Sequence, residues 1–251
     1  MTMAGKFGLI GGSGFHDLGT DVPGRALTTA FGRPSAPPRP LLLGGREVWF
    51  LARHGDAHTI PPHRVNYRAN LKALRMLGVD RVVAINTVGV IVPGRLPGEL
   101  AVPDQLIDYT YGRHHSIYDG ESASLEHVDF TEPFTPGLRQ AILQAARAAS
   151  VPCHDGGVYA VTQGPRLETA AEIDRLERDG AAYVGMTAMP EAVLARELGM
   201  HYACLSLIVN QAAGRGDQAI HEDIEASLRA AKANALRVLR ALFAPEAGGV
   251  E

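Results

Sequence analysis

Short runs of glycine, arginine, histidine and hydroxyl residues recur along this 251-residue sequence, and they are suited to holding a small anion. Gly11-Gly12-Ser13-Gly14 follows an apolar run, so backbone N–H groups and the Ser13 hydroxyl can point at a ligand. The loop is not a dinucleotide fingerprint, because Asp17 stands where a further glycine is required, and no Gly-Lys-Ser/Thr follows as in a P-loop. Taken alone, the loop is better explained by an ordinary tight turn than by a ligand site.

A second segment, Leu51-Ala52-Arg53-His54-Gly55, combines an arginine with a histidine. The planar guanidinium suits phosphate, and His54 can add a hydrogen bond or a positive charge. His58 lies four residues after His54, a spacing that occurs in zinc sites, but neither a His-Glu-x-x-His motif nor paired cysteines supply further ligands. We therefore expect no metal. His58 and His63 either belong to the ligand site or are solvated loop residues.

Three later segments also carry polar groups at predicted element ends. Glu168, in Thr162–Thr169, is either a substrate ligand or a carboxylate in the first turn of a helix. Gly185-Met186-Thr187 offers a hydroxyl and N–H groups at a helix start, with a simple cap as the alternative. Asn210 follows the most apolar strand and can both donate and accept, unless it only forms a turn.

Strand-like and helix-like segments alternate along the chain. The predicted strands are Phe7–Ile10, Glu47–Ala52, Arg81–Ile85, Leu106–Tyr109, Val158–Thr162 and Tyr202–Val209. The predicted helices are Asn66–Leu77, Pro136–Ala149, Leu167–Arg178, Met189–Leu198 and Glu222–Phe243. Apolar strands between helices predict an α/β fold with a central mixed, mainly parallel sheet flanked by helices. Because the sequence contains no linker-like segment, residues 1–251 are predicted to form one domain, with a core of about 7–243.

The predicted sheet identifies where a ligand would bind. In such sheets ligands lie at the carboxyl ends of the strands. Polar residues directly after predicted strands are therefore candidate site residues: Ser13, Arg53, His54, Asn86, Thr87, Gln163 to Glu168, and Asn210.

Composition excludes several classes of protein. The 24 basic and 27 acidic residues give a formal charge of −3, which argues against a nucleic-acid partner. Cys153 and Cys204 are too few for a disulfide scaffold. No apolar run reaches the roughly 18 residues of a membrane helix, and the N-terminus lacks the apolar stretch of a signal peptide. We expect a cytoplasmic protein with no membrane partner.

Together, the ordered motifs resemble those of the trimeric nucleoside phosphorylases, the family of purine nucleoside and methylthioadenosine phosphorylases. The resemblance runs from Gly8 to about Leu242. Within the family, the chain is most similar to the methylthio-nucleoside branch, especially to its methylthioinosine-cleaving members. The residues that carry it are Gly11-Gly12-Ser13-Gly14, Arg53-His54-Gly55, Val65-Asn66-Tyr67-Arg68-Ala69-Asn70, Asn86-Thr87-Val88-Gly89, Gly164-Pro165-Arg166-Leu167-Glu168-Thr169, and Gly185-Met186-Thr187 with Pro190-Glu191.

The resemblance implies a reaction in which phosphate attacks C1′ of a purine nucleoside and displaces the base. Inorganic phosphate is then a co-substrate, and no metal or organic cofactor is implied. The phosphate ligands implied are Ser13, Arg53, His54, Asn86, Thr87 and Thr187. Met186 would lie beside the ribose, and His127 would reach a neighbouring subunit's sugar pocket in a homotrimer, or in a hexamer built as a dimer of trimers. Thr87 and Val90 depart from the alanine and glycine that relatives often carry.

The same resemblance implies a preference for 6-oxopurines. Adenine-cleaving relatives carry Asp-x-Asp where this chain has Asn210-Gln211-Ala212, and they lack Glu168. Glu168 can accept from N1–H of the base, while Asn210 can donate to O6 and accept from N7–H as the leaving base gains charge. Asn210 and His54 are the predicted catalytic residues.

The group at the 5′ position of the sugar decides between two substrates. Counting back from the last helix, His221 matches a histidine that holds the 5′-hydroxyl in relatives that cleave ordinary ribonucleosides, although a solvated residue at the helix start is the alternative. The leading hypothesis is therefore phosphorolysis of inosine and guanosine to free base and ribose 1-phosphate in purine salvage. Methylthioinosine or methylthioadenosine phosphorolysis is the alternative, and a non-catalytic nucleoside-binding protein is a third possibility.

Overall fold

The computed structural model describes residues 5–120, 125–216 and 220–245, except for the side chains of residues 220–223. Its strands are β1 (Lys6–Gly11), β2 (Arg39–Leu43), β3 (Arg46–Ala52), β4 (Val79–Val90), β5 (Leu100–Val102), β6 (Gln105–Asp108), β7 (Cys153–Asp155), β8 (Val158–Val161), β9 (Ala181–Gly185) and β10 (His201–Gln211). Its helices are α1 (Tyr67–Met76), α2 (Pro136–Ala148), α3 (Ala170–Arg178), α4 (Ala188–Glu197) and α5 (Ile220–Leu242).

The strands in the described part of the chain join one mixed sheet. Its main order is β2-β3-β1-β4-β10-β5-β7, and β9, β8 and β6 branch from the end of β4. Pairing is parallel for β1 with β3 and β4, and for β4 with β10, whereas β2, β5 and β9 run antiparallel to the central strands. The predicted α/β fold with a mainly parallel central sheet is confirmed.

Alternating side chains divide each central strand between two cores, one on each face of the sheet. Leu9 belongs to the core covered by α2 and α5, while the next residue, Ile10, belongs to the core covered by α1 and α4. In β10, Leu205 and Tyr202 divide in the same way. Burial on both faces explains why these strands are apolar throughout.

The ends of three elements differ from the sequence prediction. β4 continues to Val90 and β10 to Gln211, because the two strands stay paired past a register shift, so Asn86, Thr87 and Asn210 lie within strands and not after them. Helix α3 begins at Ala170, where Thr169 caps it and Glu172 completes a capping box. Glu168 therefore precedes the helix. Strands β2, β5, β7 and β9 were not predicted.

No helix within residues 5–120, 125–216 and 220–245 combines the length and apolar character needed to cross a bilayer.

Candidate active site

A cavity of about 480 Å³ opens at the carboxyl ends of β1, β3 and β4. It brings together ten of the predicted site residues: Ser13, Arg53, His54, Asn86, Thr87, Glu168, Met186, Thr187, Asn210 and Ala212. Of the other two, His127 lies in an exposed segment outside this cavity, and the side chain of His221 lies outside the described residues. The parallel register makes the loops after β1 and β3 neighbours, since Gly11 of β1 pairs with Ala52 of β3. The segments that carry Glu168 and Thr187 follow β8 and β9, and β9 pairs antiparallel with the end of β4.

Gly12 is required by the close approach of Arg53. A Cβ at position 12 would lie 2.8 Å from Arg53 Nη1 and 2.8 Å from the carbonyl oxygen of Ile85. Neither contact can relax easily, because the guanidinium is buried and the carbonyl belongs to β4. The glycine loop therefore lies directly against the arginine that the sequence assigns to phosphate.

Arg53 is held by a partner that sequence reasoning missed. Both Arg53 and Glu191 are 0% exposed. Arg53 Nε and Nη2 donate to Glu191 Oε1 and Oε2 over 2.8 and 2.9 Å, and Tyr202 also donates its hydroxyl to Glu191 Oε2. Burial lowers the pKa of Arg53, but the Glu191 carboxylate more than offsets this, so the pKa lies above its usual range. The Pro190-Glu191 motif was the available signal, although it assigns the carboxylate no role.

His54 is a neutral imidazole in this setting. Its Nδ1 lies 2.7 Å from the carbonyl oxygen of Ile60. Burial, together with the charge of Arg53, lowers the pKa of His54 to about 4, against a smaller opposing effect of the Ile60 bond. Of the two roles that the sequence allows, a hydrogen bond fits and a positive charge does not.

Three imidazoles line up beside the glycine loop. Ser13 Oγ lies 3.3 Å from His58 Nε2, and the His58 ring centroid is 4.9 Å from that of His54 and 5.3 Å from that of His16. His58 thus lines the cavity while its side chain stays exposed to solvent, as expected of a loop residue. Among the described residues, no three His, Cys, Asp or Glu side chains are grouped so as to hold a metal ion.

Asn86 and Thr187 differ in which of their polar groups are free to bind a ligand. The Asn86 amide is bonded inside the sheet at both its oxygen and its nitrogen, since it accepts from Ser206 Oγ at 2.7 Å and donates to Cys204 Sγ at 3.3 Å. Its backbone and the second N–H of the amide are left for a ligand. Thr187 precedes α4 and makes no side-chain cap hydrogen bond, and the non-helical Met189 separates it from the regular part of that helix. Thr187 lines the cavity.

Glu168 and Asn210 also line the cavity. Thr162 Oγ1 donates to Glu168 Oε1 at 2.6 Å, which orients a half-buried carboxylate. Asn210 Nδ2 donates to the carbonyl oxygen of Gln211 at 2.6 Å, which leaves Oδ1 and the second N–H of the amide. The buried Ala212 is beside them, and Val184 adds apolar surface suited to a flat ring.

Arg113 connects two segments that line the cavity through hydrogen bonds to their backbone. It was not predicted from the sequence. Its guanidinium donates to the carbonyl oxygens of Met186 (2.8 Å), Met189 (2.6 Å) and Gln163 (2.8 Å). It thereby connects the segment that carries Glu168 with the segment that carries Met186. The chain around Arg113 is irregular, so neither periodicity nor a motif draws attention to this residue.

The remaining wall of the cavity is apolar. It is lined by Ile224 and Leu228 of α5 and by Ile60 and Pro61. Leu228 lies directly over the glycine loop, since a Cβ placed on Gly14 would be 3.2 Å from Leu228 Cδ1. The cavity thus has a polar end for an anion, a polar end for a base, and an apolar side between the loop and α5.

Comparison with known proteins agrees with this architecture. The model of the phosphorylase superfamily matches residues 6–244. A protein of Xylella fastidiosa named probable S-methyl-5′-thioinosine phosphorylase is 53% identical over 213 residues, which cover 84% of this chain and 86% of the relative. The 6-oxopurine nucleoside phosphorylase of Pyrococcus furiosus is 43% identical over 226 residues, which cover 87% of this chain and 84% of the relative.

A solved structure is also similar along almost the whole chain. A methylthioadenosine phosphorylase sourced from an antarctic soil metagenomic library has a TM-score of 0.88 at 32% identity, covering 95% of this chain and 85% of the other. The chain therefore belongs to the phosphorylase superfamily. Within it, the chain is an enzyme, a purine-type nucleoside phosphorylase and thus a pentosyltransferase, as the sequence predicted.

Proposed function

We propose that this enzyme cleaves S-methyl-5′-thioinosine with inorganic phosphate, releasing hypoxanthine and 5-methylthioribose 1-phosphate. The observation that carries the proposal is that one cavity is lined both by Glu168 and Asn210 and by the apolar Ile224 and Leu228 of α5. The first pair suits a 6-oxopurine, and the second suits a thiomethyl group. The higher identity to the relative named for methylthioinosine supports the same choice.

Phosphate is assigned to the polar end. Its ligands in this proposal are the hydroxyls of Ser13, Thr87 and Thr187, the guanidinium of Arg53, the ring of His54 and the backbone of Asn86. Hydroxyls and N–H groups around one guanidinium can hold a dianion without a metal. Bound there, phosphate is both the nucleophile and the counter-charge to the cationic sugar.

The base is assigned to the opposite wall. A phosphate oxygen forms the new bond to C1′, the glycosidic electron pair passes to the purine, and the purine gains a proton from solvent at N7. Asn210 Oδ1 accepts from that N7–H and its amide donates to O6, while Glu168 accepts from N1–H. These bonds strengthen as negative charge reaches the base, so they stabilise the transition state more than the substrate. Met186 borders the sugar.

The 5′ group is assigned to the apolar side. Leu228 covers the glycine loop, so a sugar that has its C1′ near phosphate has α5 beside it. A thiomethyl group loses little by leaving water for such a wall, whereas a 5′-hydroxyl would need a partner there. His221 remains the predicted partner for a 5′-hydroxyl, which keeps inosine and guanosine as the second candidate substrates, supported by the 6-oxopurine relative.

We also propose a homotrimer in which His127, exposed in its own chain, completes the sugar pocket of a neighbour. Light scattering combined with the activity of His127→Ala tests this assembly. A fully active monomer contradicts it.

A substrate panel tests the assignment. Hypoxanthine release from methylthioinosine and inosine is measured with and without phosphate, with methylthioadenosine as the adenine comparison. Methylthioinosine is expected to have the highest kcat/KM, and Leu228→Ser to lower it about tenfold more than it lowers that of inosine. A preference for inosine that His221→Ala abolishes would instead establish the second candidate, and release without phosphate would refute phosphorolysis.

A further inference from the structure

The ring of His54 has a defined tautomer. Its Nδ1 lies 2.7 Å from the carbonyl oxygen of Ile60, and a carbonyl oxygen can only accept a hydrogen bond. Nδ1 must therefore carry the hydrogen. In a neutral imidazole the other nitrogen, Nε2, then has a lone pair and acts as an acceptor.

The surroundings keep this imidazole neutral and its acceptor nitrogen available. His54 is buried next to the guanidinium of Arg53 and in edge contact with the His58 ring. Protonation would add a second positive charge at that point, and the low pKa of His54 agrees with this. No hydrogen bond to Nε2 is formed within the part of the chain that the structure describes, while the His54 side chain lines the cavity.

Net charge at this end of the cavity does little to select among anions. Arg53 and Glu191 form a fully buried pair with no net charge, and Ser13, Thr87 and Thr187 are neutral. Hydroxyls can rotate to donate or to accept, whereas Nε2 can only accept. Sulfate and hydrogen phosphate are tetrahedral dianions of similar size, but only hydrogen phosphate carries an O–H.

We propose that His54 Nε2 accepts a hydrogen bond from the P–OH of bound phosphate and thereby selects protonated tetrahedral oxyanions over fully ionised ones. This rests on the proposed assignment of phosphate to this end of the cavity. Sulfate would present an oxygen lone pair to the lone pair of Nε2, which leaves a buried polar group without its bond. Arsenate keeps an O–H and fits, whereas fluorophosphate, a dianion without one, does not.

Calorimetric titration of the native protein at pH 8 tests the selection, because hydrogen phosphate, hydrogen arsenate, sulfate and fluorophosphate then carry the same charge. Phosphate and arsenate are expected to bind at least about tenfold more tightly than sulfate and fluorophosphate. Sulfate binding as tight as phosphate binding overturns the proposal.

Substitutions test whether His54 causes the preference for phosphate over sulfate. In His54→Gln, the amide can turn an N–H toward the anion, so the phosphate-to-sulfate ratio of affinities is expected to narrow several-fold. His16→Gln changes an imidazole that contacts His58 but does not line the cavity, and it is expected to keep the ratio. A ratio that His54→Gln leaves unchanged also overturns the proposal. A native protein that releases base with phosphate but does not discriminate against sulfate refutes only this inference, whereas one that binds no phosphate refutes the proposed function.

Discussion

The guanidinium of Arg53 and the carboxylate of Glu191 meet through two hydrogen bonds, 2.8 and 2.9 Å long, with neither side chain exposed to solvent. The pair joins the loop after β3 to helix α4, across 138 positions of the sequence. Because Tyr202 also donates to the carboxylate, the orientation of Arg53 toward the cavity depends on three elements of the fold.

Glu191→Gln is expected to destabilise the protein by about 3–5 kcal/mol, because it leaves the buried Arg53 charge uncompensated. Urea unfolding measures this change. Asp174→Asn is the matched control, since it removes an exposed ion pair with Arg215 and is expected to cost about 1 kcal/mol or less.

The same substitution tests Glu191 as a positioning residue for Arg53. If Glu191 orients the guanidinium toward phosphate, KM for phosphate rises more than KM for the nucleoside. Equal effects on both substrates would show that the pair serves stability alone.

His54 is expected to make stability depend on pH. The imidazole titrates near 6.5 when unfolded and near 4 when folded, so the unfolded chain binds the proton first. Neutral His54 therefore contributes about 3 kcal/mol to the free energy of unfolding. This contribution is complete above pH 6.5 and is lost as pH falls toward 4. The free energy of unfolding of native protein and His54→Gln, compared across this range, measures it. Parallel pH profiles for the two proteins would contradict the low pKa.

Arg113→Lys is expected to lower kcat/KM for the nucleoside by about 10- to 100-fold, because an ammonium group cannot reach the carbonyl oxygens of Met186, Met189 and Gln163 together. Steady-state kinetics with each substrate varied in turn provides the measurement. Tyr67→Phe is the control, since the Arg113–Tyr67 contact is the longest of the set at 3.4 Å. An equally large loss of kcat/KM in Tyr67→Phe would show that the bonds from Arg113 to the three carbonyl oxygens are not the cause.

Asn210→Asp is expected to shift preference from methylthioinosine toward methylthioadenosine, because a carboxylate can accept from the 6-amino group of adenine. Ala212 supplies no second carboxylate, which limits the gain. In the native enzyme the 6-oxopurine is expected to be preferred by about 100-fold or more, since the wrong base leaves buried polar groups unpaired. Similar specificity constants for the two nucleosides in the native enzyme would refute the assignment of Asn210.

The sequence by itself determined the class of fold and ten of the residues that line the cavity. Apolar strands alternating with helices predict a parallel sheet, and the glycine and Arg-His segments follow strands whose ends must meet at one edge. The Glu168 segment follows β8, whose neighbour β9 runs antiparallel to β4, so the parallel arrangement alone does not place it there. Strands β5 and β7 escaped prediction because three residues are too few for a periodic pattern. Strand β2 contains a proline, and β9 begins with two alanines, residues that are uncommon in strands. The extension of β4 past Asn86 escaped it because it depends on pairing with β10.

Only the tertiary structure decided how these residues act. Glu191 becomes the partner of Arg53 because α4 packs against the central sheet, and His54 becomes an acceptor because the carbonyl of Ile60 lies beside Nδ1. Arg113 reaches carbonyls of segments that are 49 to 76 positions away. Such partners are fixed by the packing of separate strand ends and loops. Local spacing can indicate which side chains belong to a site, but not the charge or tautomer that burial gives them.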